Sequence, residues 1–430
     1  MAVSGWLMGA TGALAAGAPA ASSARTGTTW TWTWHQPHRA ARRVWWLTAL
    51  ALNVTLLPLA VSGRATEASL AALLVAVLAR HDALLSAVGR KIGARPGYRR
   101  HQLLNHLGQL HRAMALAAIG WLVLAATQHL ARPPAVAVVL FILVIALLAM
   151  SWAARDAVRP TRHERFELIH RVVGWSALAV LIALVVQRFA SAAAADRSAE
   201  MIPTLLLLAA VVAAVAQPWL SVRRLPVEVL EVTPGLVVLA LPGQRRVGDF
   251  LRVSIEGREW HAFAVSTCGR EGPDRFCLVI RRAGDWTERL GRRCEEGRPP
   301  TSLLVRTMRG YGFMGNARAY RQVLVIATGA GIGPVLLYLL DRRQPGLRCL
   351  WIARDHRATI GDALVDQVLA GGQTTLIDTT DARPDLGRLV TATALGTGAV
   401  FVVGNPGARD RVAAACADLG LRWYGPTFDS

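Results

Sequence analysis

Long apolar runs in the first half of the chain set the strongest limit on its fold. Five are uninterrupted and cover residues 44–61, 114–131, 134–154, 168–186 and 201–220. Each has about 18 residues or more, the length that a helix needs to cross a hydrocarbon core about 30 Å thick. A sixth run, residues 68–89, is interrupted by Arg80-His81-Asp82, which we interpret as a helix end in the membrane interface. The runs therefore predict helices that lie in a membrane.

The distribution of arginine indicates how many of these runs cross the membrane. The chain has 48 Lys and Arg against 28 Asp and Glu, a net charge of +20. Basic residues concentrate in alternate loops, at residues 39–43, 90–100, 155–165 and 223–224, and are sparse in the loops between them. Because basic loops stay in the cytoplasm, this alternation fits six spans and not five. We predict an integral protein of the cell membrane with both termini and the soluble domains in the cytoplasm.

The same charge gives no indication of a nucleic-acid partner. It is explained by the predicted topology and by attraction to anionic lipid. The sequence has no basic stripe interleaved with aromatic residues, so we expect no nucleic-acid binding. All five cysteines lie after residue 222 and none form a CxxC pair, so neither an iron–sulfur cluster nor a zinc site is predicted. We find no catalytic triad and no pair of catalytic carboxylates.

We predict a multi-domain chain with four parts. Residues 1–43 form a disordered cytoplasmic leader, and residues 44–221 form a six-helix transmembrane bundle. In residues 222–318, short strand-like runs alternate with turns that contain Gly and Pro, which is typical of a small antiparallel β-barrel. In residues 319–430, the buried-type strand Val323–Ala327 enters the glycine-rich turn "TGAGIGP" and then a helix. This order predicts an α/β domain with a parallel sheet that binds a pyrophosphate at the start of a helix.

The order of these domains and five short motifs resemble the ferredoxin–NADP reductase superfamily, and within it the ferric reductases and NADPH oxidases. The motifs are "HAFAVS" (261–266), "GDWT" (284–287), "RGYGFMG" (309–315), "TGAGIGP" (328–334) and "VVGNPG" (402–407). The resemblance implies an FAD-binding barrel followed by an NAD(P)-binding domain. A narrower resemblance is to a group of fungal and bacterial membrane flavoproteins that are poor in heme ligands. The fungal members of that group are often fused to adenylate-forming domains.

The resemblance also implies which residues bind the two nucleotides. Phe263 is expected to pack on the flavin, Ser266 to hydrogen-bond its ring edge, and Arg281 or Arg282 to meet phosphate charge. The residues assigned to FAD are His261, Phe263, Val265, Ser266, Arg281, Gly284, Trp286 and Thr287. Those assigned to the nicotinamide nucleotide are Thr328, Gly329, Gly331, Gly333, Pro334, Arg354, Gly404 and Asn405, with Phe428 reaching the flavin from the C-terminus. Arg354 favours NADPH over NADH, and Val403 stands where the family has a cysteine.

Histidines in two of the predicted spans raise the question of heme. In ferric reductases two hemes are each held by one histidine from the third span and one from the fifth. Here the outer positions are Ala125 and Ala183, so two hemes are excluded by residue type. A single inner heme b between His111 (or His106) and His170 stays possible. The alternative is that these histidines form hydrogen bonds between helices or face the basic cytoplasmic surface.

Taken together, these features predict a membrane-bound flavoprotein oxidoreductase. It would pass electrons from NAD(P)H through FAD to an acceptor at the inner membrane face. The acceptor is left open between a quinone, a ferric chelate and a single inner heme, and the oligomeric state is also open. The alternative function is a slow-turnover redox sensor in which the flavin reports the NAD(P)H level. The valine at position 403 and the missing outer heme ligands favour this alternative slightly.

Overall fold

A computed structural model describes residues 37–93, 97–128, 134–154, 163–340 and 346–426. The first half of the described chain is helical. Its helices are α1 (Pro37–Val61), α2 (Ala65–Leu78), α3 (Asp82–Gly93), α4 (Tyr98–Asn105), α5 (Leu107–Thr127), α6 (Pro134–Ala153), α7 (His163–Ala194) and α8 (Ile202–Leu220). Every predicted apolar run falls on one or two of these helices. Helix α1 already begins within the predicted leader, and Phe428 lies outside the described residues.

Four helical segments of the described chain are long and apolar enough to cross a membrane, where six were predicted. They are Ala40–Val61, Tyr98–Thr127, Phe166–Ala194 and Ser198–Leu220. The segment 68–89 is not one straight span, because α2 and α3 are bent by 55° at their junction and count as a fifth span only together. Within α6, the stretch Val138–Ala153 is apolar but too short to be counted as a span by itself. Length and composition thus support four or five spans.

The bend between α2 and α3 follows from the polar residues at their junction. Asp82 is the first residue of α3, where a carboxylate favours the positive end of the helix dipole. Beyond the bend, α3 packs on the soluble half. Its small residues Gly89 and Gly93 lie against the ring of Tyr311, and the Ser86 hydroxyl accepts a hydrogen bond from the Tyr311 backbone N–H at 3.0 Å. The interruption noted in the sequence is therefore the point where the chain turns toward the soluble half.

Two antiparallel sheets follow the helices. Their strands are β1 (Val222–Pro226), β2 (Glu228–Val232), β3 (Leu236–Pro242), β4 (Asp249–Ser254), β5 (His261–Ala264), β6 (Arg275–Arg281) and β7 (Ser302–Tyr311), with α9 (Asp285–Glu295) between β6 and β7. One sheet has the order β1-β7-β4-β5 and the other β2-β3-β6. A bridge between Ser266, two residues after β5, and Cys277 of β6 connects them. The antiparallel architecture was predicted, but the described strands form two linked sheets and not one closed barrel.

The C-terminal part is an α/β domain, as predicted. A parallel sheet has the order β10-β9-β8-β11-β12, formed by β8 (Val323–Thr328), β9 (Leu347–Ala353), β10 (Thr374–Asp378), β11 (Ala399–Val403) and β12 (Trp423–Tyr424). Its helices are α10 (Leu336–Leu339), α11 (His356–Ile360), α12 (Asp362–Ala370), α13 (Leu386–Thr393) and α14 (Pro406–Asp418). The strand order reverses beside β8, which makes the carboxyl ends of β8 and β11 the expected ligand edge.

Charged and aromatic contacts join the helical half to the antiparallel sheets. Asp82 at the start of α3 accepts hydrogen bonds from Arg252 of β4, at 2.7 Å from Nε and 3.4 Å from Nη2. Arg90 of α3 binds the buried Asp249 carboxylate at 2.6 Å. The two halves therefore meet through ion pairs that lie partly out of water, where they interact more strongly than on an open surface.

An arginine between two indole rings forms a further contact between the halves. The Arg306 guanidinium lies 4.8 Å from the ring centroid of Trp219, at the end of α8, and 4.7 Å from that of Trp260. Burial lowers the pKa of Arg306 to about 10, and the neighbouring Arg252 acts in the same direction. Cation–π contacts of this kind are stronger when they are desolvated. Sequence reasoning missed Arg306, although Trp219 and Trp260 flank the predicted membrane end and the predicted flavin strand.

Candidate flavin and nucleotide sites

Three aromatic side chains from the predicted flavin motifs lie together. The His261 ring on β5 is 4.6 Å, centroid to centroid, from Trp286 in the first turn of α9. Phe263, also on β5, stacks on the same indole at 5.8 Å. Trp286 is buried, whereas His261 and Phe263 are half-buried. The structure thus brings "HAFAVS" and "GDWT" into one partly open aromatic surface, which is suited to a planar ring system.

The loop before α9 is shaped by its own side chains. The Thr287 hydroxyl accepts hydrogen bonds from the backbone N–H groups of Ala283 and Gly284, both at 3.1 Å. This contact caps the start of α9, because a side chain of the first helical turn reaches back to backbone N–H groups that the helix leaves unpaired. A Cβ atom on Gly284 would meet nothing within 4 Å, so the loop has open space beside it. The backbone at the start of α9 is therefore accessible to a phosphate group.

The two candidate arginines differ in the charges that surround them. Arg282 is bound to Glu288 and to Glu295, and these hydrogen bonds raise its pKa. Arg281 at the end of β6 is exposed and carries no such double ion pair. Asp285 and Glu288 lie in the first turn of α9, where their charge weakens the attraction for an anion. Of the two arginines, Arg281 is the one placed to offset that charge.

Ser266 lies at the contact between the antiparallel sheets and the α/β domain. It is fully buried, and its hydroxyl donates a hydrogen bond to the Gly333 carbonyl at 2.6 Å. The sequence-based expectation assigned this hydroxyl to the flavin ring edge. In the structure it instead holds the glycine-rich turn, with the neighbouring Val265 buried beside it. The two nucleotide motifs are therefore in direct contact.

The glycine-rich turn, residues 328–335, lies at the carboxyl end of β8. Gly329 has a positive φ of 53°, and its carbonyl accepts a hydrogen bond from the Trp351 indole at 2.8 Å. A Cβ atom on Gly331 would lie 2.4 Å from the carbonyl oxygen of Val403, so only glycine fits there. Pro334 lies within the same turn, whose residues Gly329–Val335 are helical. The turn is thus held close to β11 with Gly329 facing open space.

The second predicted nucleotide motif lies on the same edge. A Cβ atom on Gly404 would be 2.6 Å from the Thr328 hydroxyl, which shows how closely the ends of β8 and β11 approach. The Asn405 side chain caps α14 by accepting from the Ala408 N–H at 2.9 Å. Arg354, directly after β9, is exposed at this edge as well. The structure therefore gathers the predicted nicotinamide-nucleotide residues, except that Asn405 is already used as a helix cap.

The two predicted heme ligands face each other across the helical half. The ring centroids of His111 and His170 are 6.5 Å apart. His111 Nδ1 is 2.8 Å from the Ala76 carbonyl of α2, a hydrogen bond between helices such as the alternative to heme requires. The same contact would also orient a metal-bound imidazole through its other nitrogen. When two imidazoles bind one iron and each nitrogen is about 2 Å from the metal, the ring centroids lie about 6 Å apart. The spacing of this pair fits that requirement.

A cleft of about 500 Å³ lies elsewhere, between α3 and the sheet that contains β4 and β7. Its walls carry Arg90, Arg246 and Arg309 around the buried carboxylate of Asp249. None of the residues predicted to bind FAD or the nicotinamide nucleotide line it. We place the candidate site at the contact between β5, α9 and the glycine-rich turn, because the predicted motifs meet there.

Comparison with known proteins gives one family match. Residues 313–430 match the model of the C-terminal domain of adenylate-forming reductase 03009. Two curated proteins of Coprinopsis cinerea are similar over 343 residues: adenylate-forming reductase 03009 at 29% identity and adenylate-forming reductase 06235 at 28%. The aligned part is 76% and 75% of this chain but 33% of each relative. The chain thus spans about a third of the length of the curated relatives that it matches.

Solved structures give weaker likenesses. Phthalate dioxygenase reductase aligns with a TM-score of 0.41 and 14% identity, over 49% of this chain and 70% of that chain. The FAD/NAD-binding domain of a nitric oxide dioxygenase from Vibrio cholerae aligns with a TM-score of 0.38 and 16% identity, over 47% and 99%. Scores this low do not by themselves define a shared fold. The match to an adenylate-forming reductase agrees with the narrower resemblance, whereas membership of the ferric reductases and NADPH oxidases stays a prediction.

Proposed function

We propose that the chain is a membrane-bound oxidoreductase that passes electrons from NAD(P)H through FAD to an acceptor at the inner membrane face. The observation that carries this proposal is the hydrogen bond from Ser266 to the Gly333 carbonyl. It joins the strand of the flavin motif to the turn of the nucleotide motif. Hydride transfer requires two cofactors in contact, and a protein supports it by positioning them. The similarity to proteins named reductases supports the same chemistry.

FAD, when bound, supplies the hydride acceptor and the redox chemistry. The residues of the chain would bind and orient it. His261, Phe263 and Trp286 offer the aromatic surface, and the open backbone at Gly284 with the exposed Arg281 offers the phosphate contacts. On the other side of the contact, the turn at Gly329 and the edge at Gly404 would hold the nicotinamide nucleotide. The exposed Arg354 after β9 supports NADPH, since a guanidinium pairs well with a 2′-phosphate.

Exposed apolar side chains on the helices support a location in the membrane. Phe141 on α6 and Leu206 on α8 are 67% and 66% exposed, and Leu47 on α1 is 63% exposed. Large apolar side chains that are this exposed on several helices suit a lipid environment. The arginine distribution supports a cytoplasmic soluble half. We therefore propose an integral protein of the cell membrane whose sixth span is formed by α6.

The acceptor is the least defined part of the proposal. The pair His111 and His170 supports a single heme on the side of the soluble half, because the two rings are close and Arg171, next to His170, donates a hydrogen bond to the Arg258 carbonyl. The 6.5 Å between the ring centroids of His170 and His111 supports His111 as the second ligand. A quinone or a ferric chelate is the acceptor that fits if no heme binds.

Absorption spectroscopy of the full-length protein in detergent tests this proposal. We expect flavin bands that bleach on addition of NADPH. Phe263→Ala should lower the flavin content, whereas Phe141→Ala, in an exposed position on α6, should leave it unchanged. A Soret band that is lost in His170→Ala and His111→Ala but kept in His106→Ala would support the heme. If no flavin copurifies and none can be reconstituted, the proposed function is wrong.

A redox sensor remains the second candidate, and one residue favours it. Val403 stands where the family has a cysteine and is nearly buried at the end of β11. A thiol beside the nicotinamide is thereby replaced by an aliphatic side chain. Steady-state oxidation of NADPH with an artificial acceptor separates the two candidates. A sensor would bind both nucleotides and turn over very slowly, and a Val403→Cys variant should raise that rate.

A further inference from the structure

Two cysteines with no part in the proposed electron path lie in contact. The Sγ atoms of Cys268 and Cys277 are 3.2 Å apart, and both residues are buried. Cys277 lies on β6, and Cys268 lies in the loop that connects β5 to β6. Most of that loop between the two cysteines is exposed, so the thiols lie one layer beneath the surface.

The third buried group of this cluster, Glu271, is already bound within the protein. Its carboxylate accepts hydrogen bonds from Arg245 Nη1 at 3.2 Å, from the Cys268 N–H at 3.1 Å and from the Thr267 hydroxyl. Two thiolates on a tetrahedral zinc with bonds of about 2.3 Å lie about 3.8 Å apart. The sulfur atoms here are closer than that, and the carboxylate is not available. The geometry therefore favours a dithiol over a metal site.

The two thiols are not equivalent. Cys277 donates its S–H to Cys268, and the Cys268 S–H in turn points at the Glu271 carboxylate, 3.4 Å away. The bond from Cys277 lowers the pKa of Cys268, which outweighs the opposing effects of burial and Glu271, and it raises the pKa of Cys277. The thiolate is the reactive form of cysteine, so Cys268 is the nucleophile of the pair. Cys277 is placed to attack it in turn.

We propose that Cys268 and Cys277 form a reversible disulfide in response to a peroxide. The Cys268 thiolate attacks hydrogen peroxide, takes one oxygen to become a sulfenic acid, and releases water once a proton is added. Cys277 then attacks the oxidised sulfur, the S–S bond forms, and a second water leaves. In total, two thiols and one peroxide give one disulfide and two waters. A cellular dithiol reductant reverses the reaction by thiol–disulfide exchange.

This disulfide would lie directly behind the glycine-rich turn. Ser266 exchanges backbone hydrogen bonds with Cys277, both at 2.9 Å, and its hydroxyl holds the Gly333 carbonyl. Val279, two residues after Cys277 on β6, packs so closely behind Gly333 that a Cβ atom on Gly333 would lie 3.2 Å from the Val279 side chain. Forming the bond draws the sulfur atoms from 3.2 Å to about 2.05 Å, which pulls the loop toward β6. We therefore infer that oxidation weakens nucleotide binding several-fold, a part that rests on the proposed function.

Peptide mapping of the full-length protein tests the disulfide without any variant. Trypsin cleaves after Arg258, Arg270, Arg275 and Arg281 and places the two cysteines in separate peptides, 259–270 and 276–281. After treatment with hydrogen peroxide, we expect these two peptides to be joined and to separate on reduction. Cys349→Ser, which removes another buried thiol, should leave the joined product intact. The absence of the joined product, or purified protein that holds zinc through Cys268 and Cys277, would overturn the proposal.

Nucleotide binding gives the second measurement. We expect the Kd of the oxidised wild-type protein for NADPH to be several-fold higher than that of the reduced protein, with no such shift in Cys268→Ala. An equal Kd in both states would overturn the inferred effect on binding. If the reduced protein binds neither NADPH nor NADH, the proposed function fails, while the peptide map still decides on the disulfide.

Discussion

Individual side chains at the candidate site are mostly held by neighbours in the chain. Thr287 caps α9, Arg282 is bound to two glutamates, and Ser266 holds the Gly333 carbonyl. Residue types and spacing identified all three, because the motifs that contain them are local in sequence. The partners of Thr287 and Arg282 lie in the same local segment, whereas Gly333 is 67 residues from Ser266. Sequence patterns do not report a contact across such a separation.

Replacement of Ser266 separates its two assigned roles. Ser266→Ala leaves the buried Gly333 carbonyl without this donor, which should cost about 1–3 kcal/mol of stability. We expect weaker NADPH binding with an unchanged flavin spectrum, measured by titration and absorption. Ser254→Ala is the control, because this buried hydroxyl binds the Gly257 N–H within its own sheet and should not affect NADPH binding. A shifted flavin spectrum in Ser266→Ala would instead support the flavin contact.

Glu271 should make the stability of the soluble half sensitive to acid. Burial opposes its ionisation, but hydrogen bonds from Thr267 and the Cys268 backbone outweigh burial and lower its pKa. A carboxyl group with a lowered folded-state pKa stabilises the fold above its unfolded pKa of about 4.5, and this contribution is lost as the pH falls through the folded value. We expect the Tm of Glu271→Gln to fall less than the wild-type Tm between pH 7 and pH 4. Glu296→Gln, an exposed position, should follow the wild type.

At the scale of single elements, α3 is the part whose packing the sequence did not reveal. Its residues continue an apolar run, and apolar composition does not distinguish a helix in lipid from a helix against a sheet. Ser86, Gly89 and Gly93 form a face of small residues on α3, and the contact with Tyr311 explains why they are small. The first strand of the parallel sheet, β8, was predicted well, because Val323–Ala327 is a short buried run bounded by turn residues.

Substitution of Gly93 tests whether α3 is docked on the sheet. A Cβ atom there would lie 2.2 Å from the Tyr311 hydroxyl and 2.9 Å from its ring. The ring cannot retreat, because a Cβ on Gly315 would meet its other side at 2.4 Å. Gly93→Ala should therefore cost about 1–3 kcal/mol, seen as a lower Tm. Gly120→Ala in α5, which meets nothing within 4 Å, should not lower the Tm. Equal melting temperatures would contradict this docking.

For the whole molecule, the contacts between the two halves are as important as the halves themselves. The membrane-type helices and the strands of the soluble half were both evident in the sequence. Their joint surface was not, because it combines Asp82 and Arg252, which are far apart in the chain. The closed barrel and the six spans were predicted from local patterns, whereas the described residues show two linked sheets and four or five candidate spans.

A double-mutant cycle measures this joint surface. Asp82→Asn, Arg252→Gln and the double variant should show a coupling of about 0.5–3 kcal/mol, because both side chains are only 26% exposed. The pair Arg298 and Glu296, at 73% and 49% exposure, is the matched control and should couple by about 0–1 kcal/mol. Unfolding of the full-length protein in detergent gives the four stabilities of each cycle. Equal couplings for the two pairs would argue against a shielded contact between the halves.

The docked helix also bears on how the protein can be divided for study. A cut at the composition boundary near residue 222 would remove α3 and expose one side of the Tyr311 ring. It would also leave the Asp249 carboxylate without Arg90 and free Arg306 from the indole of Trp219. The fragment would expose apolar surface that α3 and α8 cover in the full chain, and the Asp249 carboxylate would lose its principal counter-ion. A recombinant soluble piece should therefore retain residues 82–105 by fusion or coexpression, since the covalent boundary and the folding unit do not coincide.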